Sequence, residues 1–123
     1  MANKTHKILV VDDEAAMTRV LQTTLVAAGF TVATASSGTE ALKKLESEGA
    51  DLVITDIQMA EGDGIWLSQQ IKVNPKFKTL PMILLSALVA EETDGEGLQK
   101  GDIYMPKPFD NVRIVKKVQD LLA

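Results

Sequence analysis

The sequence predicts an α/β protein, a doubly wound five-stranded parallel sheet with helices on both faces. Two observations carry this. Short continuous apolar runs, the pattern of strands covered on both sides, alternate with stretches whose apolar residues recur every three or four positions. Gly, Pro and capping residues separate the two kinds of segment.

In order, Ile8-Leu9-Val10-Val11 reads as the first strand, and Met17, Val20, Leu21 and Leu25 mark a helix that stops at Gly29. Thr31–Ala35 is a second strand, and Ser37 with Glu40 has the spacing of a capping box opening a helix that carries Ala41, Leu42 and Leu45 and ends at Gly49. Leu52-Val53-Ile54-Thr55 is the third strand, followed by a loop from Ile57 to Gly64 and a helix with Leu67 and Ile71 on one face, ending before Pro75. Pro81 opens a fourth strand, Met82–Leu85; the segment 88–101 is helical by position, although Gly95 and Gly97 each cost a helix about 1 kcal/mol. Ile103-Tyr104-Met105 is the fifth strand, and Phe109 and Asp110 look like a staple and an N-cap for a last helix with Val112, Val115, Val118 and Leu122 along its apolar stripe. Five strands alternating with five helices imply right-handed crossovers in a doubly wound sheet.

The chain has 123 residues, the size of one domain, so residues 1–123 are read as a single unit. Cysteine is absent, which excludes disulfides, thiolate zinc sites and cysteine nucleophiles. A net charge of −4 offers no general attraction to nucleic acid or anionic lipid. There is no apolar run of membrane-spanning length and no apolar leader, so no membrane or direct nucleic-acid partner is expected and the expected location is cytoplasmic.

In doubly wound sheets function collects beyond the carboxyl ends of the strands. Asp12 and Asp13 follow the first strand, Asp56 the third, Ser86 and Ala87 the fourth, and Lys107 the fifth. Each alone has an ordinary explanation: acidic residues start helices, serines cap them, and lysines are solvated. Together they bring three carboxylates, a hydroxyl and an ammonium to one rim. Crowded carboxylates repel one another unless a cation is supplied, and all-oxygen ligation suits Mg2+. A lysine and a serine beside such an ion suit a phosphoryl group, with one carboxylate as nucleophile.

These residues resemble response-regulator receiver domains over nearly the whole chain, from about Lys7 to Leu122. The matching elements are Asp12-Asp13, Asp56 within Leu-Val-Ile-Thr-Asp-Ile-Gln-Met, Asp63-Gly64, Ser86-Ala87, and Lys107-Pro108-Phe109 with Tyr104 three residues before the lysine. The resemblance implies the flavodoxin-like strand order 2-1-3-4-5. It also implies that Asp56 is the phosphoacceptor, that Asp13, Asp56 and the backbone carbonyl of Gln58 ligate Mg2+, and that Asp12 reaches the ion through water. Lys107, Ser86 and the Ala87 N–H would hold the phosphoryl oxygens, and Ser86 and Tyr104 would form the switch pair. The implied donor is a phosphohistidine on a sensor histidine kinase or histidine phosphotransfer protein. Phosphorylation would change the surface around the fourth helix (88–101), the fifth strand and the fifth helix, toward an output partner that the residues do not name. Such a chain is a phosphoacceptor that assists its own phosphorylation and dephosphorylation, not an enzyme.

The sequence departs from the family pattern at Met59-Ala60, where Met-Pro is usual, and in the glycines of 88–101. Leu88 and Gln58 flank the path of an attacking water, and the apolar Leu88 predicts slow hydrolysis. Trp66 is expected to be exposed. Three other readings use the same architecture. A flavodoxin-like cofactor carrier would need a hydroxyl- or glycine-rich phosphate loop after the first strand, where this chain has Asp-Asp-Glu. A magnesium-dependent phosphatase would need Asp-x-Asp after the first strand, where this chain has adjacent aspartates; a receiver that only docks would not need the full set of site residues.

Overall fold

The computed structural model describes residues 5–59, 63–86, 103–107 and 109–122. Its elements are β1 (Lys7–Val11), α1 (Ala15–Ala27), β2 (Thr31–Ala35), α2 (Gly38–Glu48), β3 (Leu52–Asp56), α3 (Gly64–Val73), β4 (Met82–Ser86), β5 (Ile103–Pro106) and α4 (Asn111–Leu122). The strands form one parallel sheet in the order β2-β1-β3-β4-β5. The helix expected over 88–101 lies outside the described residues. The element read from sequence as the fifth helix is therefore α4.

Side-chain alternation divides the interior into two cores. Leu9, Val11, Val53, Met82, Leu84 and Tyr104 face α2 and α3, where they meet Ala41, Leu45, Leu67 and Ile71. Ile8, Val10, Leu52, Ile54, Ile83, Leu85 and Met105 face α1 and α4, where they meet Leu21, Leu25, Ile114 and Val118. Because β1, β3 and β4 are covered on both sides, they read as unbroken apolar runs.

Local signals explain the helix ends. The Glu40 N–H donates to Ser37 Oγ at 3.1 Å, as a capping box requires. The Glu40 carboxylate, however, accepts from the N–H of Ser36 at 2.7 Å, one residue before the cap. Asp63 caps α3 by accepting from the Trp66 N–H at 2.8 Å. Asp110 does the same for α4, accepting from the Val112 N–H at 2.8 Å.

Three expectations about packing need correction. Val112 is 77% exposed, because the buried stripe of α4 runs through Ile114 and Val118 and position 112 is out of phase with it. Val20 is 46% exposed for the same reason, with Leu21 and Leu25 facing the sheet. Trp66 is half-buried and packs on the α2/α3 core, in the same cluster as Ile57 and Met59.

An acidic pocket at the carboxyl end of the sheet

Strand register assembles the site. Val11 pairs with Thr55, so the next residues, Asp12 and Asp56, lie at the same level of the sheet's carboxyl edge. Asp56 pairs with Leu85 and Ser86 with Pro106, which places Ser86 and Lys107 at the same rim. The Lys107 N–H donates to the Ser86 carbonyl at 3.1 Å, tying the ends of β4 and β5 together.

Each carboxylate of Asp12, Asp13 and Asp56 offers an oxygen within 4.8 Å of the others, a spacing that could hold a metal ion. Asp12 and Asp56 are buried and Asp13 is exposed. Lys107 Nζ lies 3.4 Å from Asp56 Oδ2 and 3.7 Å from Asp12 Oδ2. Among the described residues, the Lys107 ammonium stands beside the carboxylates of Asp12 and Asp56, and a divalent cation would add charge of the same sign to the cluster.

The two oxygens of Asp12 have different surroundings. Oδ1 accepts from the Glu14 N–H at 2.9 Å in an Asx turn that starts the path into α1. Oδ2 is buried and has no hydrogen-bond partner among the described residues. Lys107 Nζ at 3.7 Å lies beyond hydrogen-bond reach of it, and a buried carboxylate oxygen in that position is costly unless a closer cation takes it. The electrostatics agree. Burial pushes the Asp12 carboxyl above its ordinary range, with the charges of Asp56 and Asp13 adding to the effect and the Glu14 N–H and Lys107 opposing it. The residues therefore fit a hard divalent cation bound through oxygen.

The structure brings Asp12, Asp13, Asp56 and Lys107 together. Ser86 is buried at the end of β4, and alternation puts it on the same face as Leu84, whose register partner is Tyr104. Tyr104 is 1% exposed, so the aromatic is wholly inside the α2/α3 core. Gln58 is exposed two residues past Asp56. Ala87 and Leu88 lie outside the described residues.

Sequence reasoning missed two parts of the site. A cleft of about 290 Å³ runs beside Asp12 and Asp13, lined across from them by Thr34, Ser36, Glu40 and Lys44. The hydroxyl of Thr55, a residue read only as part of the third strand, donates to the Asp56 carbonyl at 2.9 Å. No pattern in the sequence marks either feature, since both depend on how neighbouring strands and helices meet.

Fold and site together define a doubly wound α/β protein with an acidic, metal-competent pocket and a lysine at the strand ends. The family model described as response regulator receiver domain matches residues 8–119, and the chain belongs to that family. It is 39% identical over 117 residues to the alkaline phosphatase synthesis transcriptional regulatory protein PhoP of Bacillus subtilis, a match covering 94% of this chain and 48% of that protein. It is 38% identical over 123 residues to the probable transcriptional regulator ycf27 of Pyropia yezoensis, covering 99% of this chain and 49% of the relative. The chain thus spans about half the length of these relatives. Among solved structures, it resembles the response regulator TrrA of Thermotoga maritima in complex with Mg(2+)-BeF, with a TM-score of 0.82, 36% identity, and 96% and 100% of the two chains covered. It also resembles the chemotaxis protein CheY4 of Vibrio cholerae, with a TM-score of 0.85, 26% identity, and 97% and 100% covered. No described helix is long and apolar enough to cross a membrane.

Proposed function

We propose that this chain is one receiver unit, a switch that accepts a phosphoryl group on Asp56 in the presence of Mg2+. The observation that carries the reading is the position of Asp56. Its buried carboxylate sits at a strand end among two other carboxylates, with Lys107 Nζ 3.4 Å away.

Asp13, Asp56 and the Gln58 carbonyl would hold the ion directly, and Asp12 would hold it through water. When bound, Mg2+ neutralises charge on the carboxylates and on the incoming phosphoryl oxygens. The chain's own groups do the rest. An oxygen of Asp56 attacks phosphorus, the bond from phosphorus to the donor imidazole nitrogen breaks, and that nitrogen keeps the electron pair and takes a proton from solvent. Lys107, already placed between Asp12 and Asp56, meets the phosphoryl oxygens as a point charge. Ser86 donates a hydrogen bond to one of them, joined by the Ala87 N–H. Hydrolysis of the acyl phosphate restores the carboxylate.

The donor class is a phosphohistidine on a sensor histidine kinase or phosphotransfer protein. Ser86 and Tyr104 are the switch pair, and β5 and α4 carry the surface whose partner preference changes; the segment 88–101, which the resemblance assigns to that surface, lies outside the described residues. The phosphoryl group shifts an existing equilibrium only by its differential affinity for the two packings. The relatives named as transcriptional regulators suggest transcription as the output of a longer protein of this kind, an output that the expectation of no nucleic-acid partner did not include.

Incubation with acetyl phosphate and Mg2+, followed by mass mapping, tests this. An acid-stable, base-labile phosphoryl adduct is expected on Asp56, absent when Mg2+ is chelated and absent in Asp56→Asn. An adduct on another residue, or equal labelling of Asp56→Asn, would refute it.

A further inference from the structure

We propose that Gly64 is a positioning residue for this pocket: by carrying no Cβ it lets the start of α3 rest on the backbone of Asp56, and so sets the place of the Asp56 carboxylate and the Gln58 carbonyl. The inference rests on the magnesium reading above and adds a residue that touches neither ion nor phosphoryl group.

A Cβ at Gly64 would lie 2.5 Å from the Asp56 carbonyl oxygen, 2.9 Å from Ile57 Cα and 3.1 Å from the Asp56 carbonyl carbon. All three atoms are backbone, so none can swing aside as a side-chain tip would. The requirement is for space and not for an unusual torsion. Gly29 and Gly49 stop α1 and α2 with φ of 101° and 75°, whereas Gly64 has no positive φ.

The contact closes a loop. The Gly64 N–H donates to the Ile57 carbonyl at 2.9 Å, and Asp63 caps the same helix end. On the other side, Thr55 Oγ1 donates to the Asp56 carbonyl at 2.9 Å. The Asp56–Ile57 peptide is thus held between a strand hydroxyl and a helix end. Gln58, the proposed backbone ligand, is the next residue. If a methyl group were added at position 64, one side would have to move. Leu67 and Ile71 anchor α3 in the core at 0% exposure, and the Ile57 N–H holds the peptide to the Leu85 carbonyl at 2.9 Å, so the added methyl group strains the backbone that carries the Asp56 carboxylate and leads to Gln58. Outer groups that orient metal ligands typically change affinity by about 10- to 100-fold when altered.

The test is Mg2+ titration of the unphosphorylated protein, calorimetric for affinity and by NMR for location. Gly64→Ala is expected to weaken Mg2+ binding by roughly tenfold or more. Ile71→Val, a destabilising change in the same helix, is expected to keep wild-type affinity, which separates positioning from loss of stability. In the wild type, the amides of Ile57 and Gly64 are expected to shift with the same midpoint as those of Asp13 and Gln58. Wild-type affinity in a folded Gly64→Ala would overturn the inference and leave the magnesium reading standing. If that variant does not fold, a Gly64 amide that ignores Mg2+ in the wild type overturns it equally. Absence of Mg2+ binding by the wild type itself would remove the reading on which the inference stands.

Discussion

Where the strands begin, the charged groups have partners. Lys7 Nζ pairs with Glu48 at 2.8 Å, the Lys7 N–H donates to Asp51 Oδ2 at 2.8 Å, and the Asp51 N–H returns a bond to the Lys7 carbonyl at 2.8 Å. Where the strands end, the carboxylates of Asp12, Asp13 and Asp56 crowd together, and a buried oxygen of Asp12, 3.7 Å from Lys107 Nζ, has no hydrogen-bond partner among the described residues. The first arrangement stabilises the fold without a ligand. The second costs the fold stability, a cost that a bound cation would offset. Perturbed and incompletely satisfied charges of this kind cluster at functional sites.

Substitutions at the two ends should separate accordingly. The largest effect is expected at Asp13: Asp13→Asn, which removes one proposed ligand, is expected to weaken Mg2+ binding at least about tenfold in a calorimetric titration. Next, Asp12→Asn is expected to make the metal-free protein more stable by about 1 kcal/mol, raising its melting midpoint by roughly 4 °C, while impairing Mg2+ binding. A lower midpoint would contradict the idea that burial of this charge is a cost. Asp51→Ala, at the matched end, is expected to lose about 1 kcal/mol in urea unfolding and to leave Mg2+ affinity unchanged. Its effect on stability is thus opposite in sign to that of Asp12→Asn.

The smallest effect is one of pH. Burial raises the Asp12 carboxyl above its ordinary range, so the folded protein binds this proton more tightly than the unfolded chain does. Asp12 therefore makes metal-free stability fall as pH rises from the usual aspartate range through the raised folded value, and the loss persists above it. Saturating Mg2+ favours the ionised form and should flatten that contribution. Denaturant midpoints measured across this range with Mg2+ and with EDTA check the slope, and comparison with Asp12→Asn isolates it from the other carboxylates.

Much of this was legible in the sequence. The strands lie within a residue or so of their expected limits, because a strand covered on both faces leaves an unbroken apolar run such as Leu52–Ile54. Asp12, Asp56 and Lys107 could be placed together because strand ends share one rim in a parallel sheet. Phase was harder to read. Val112 looked like part of the apolar stripe of α4, but Ile114 and Val118 define the buried face. Trp66 looked exposed because its helical position alone does not reveal Ile57 and Met59 in the cluster it packs on. Asp63-Gly64 was recognisable as a motif, yet the reason for its glycine is a backbone contact across a loop, which no spacing rule contains.

The central claim is that the carboxyl end of the sheet is one pocket for a magnesium ion and a phosphoryl group. Addition of Mg2+ and beryllofluoride to the labelled protein, followed by amide NMR, tests it most directly. The account predicts joint shifts at Asp13, Asp56, Gln58, Ser86 and Lys107, reversed by EDTA, with Lys7 and Asp51 unmoved. Shifts confined to the Lys7–Asp51 end, or none at Asp56 and Lys107, would contradict it.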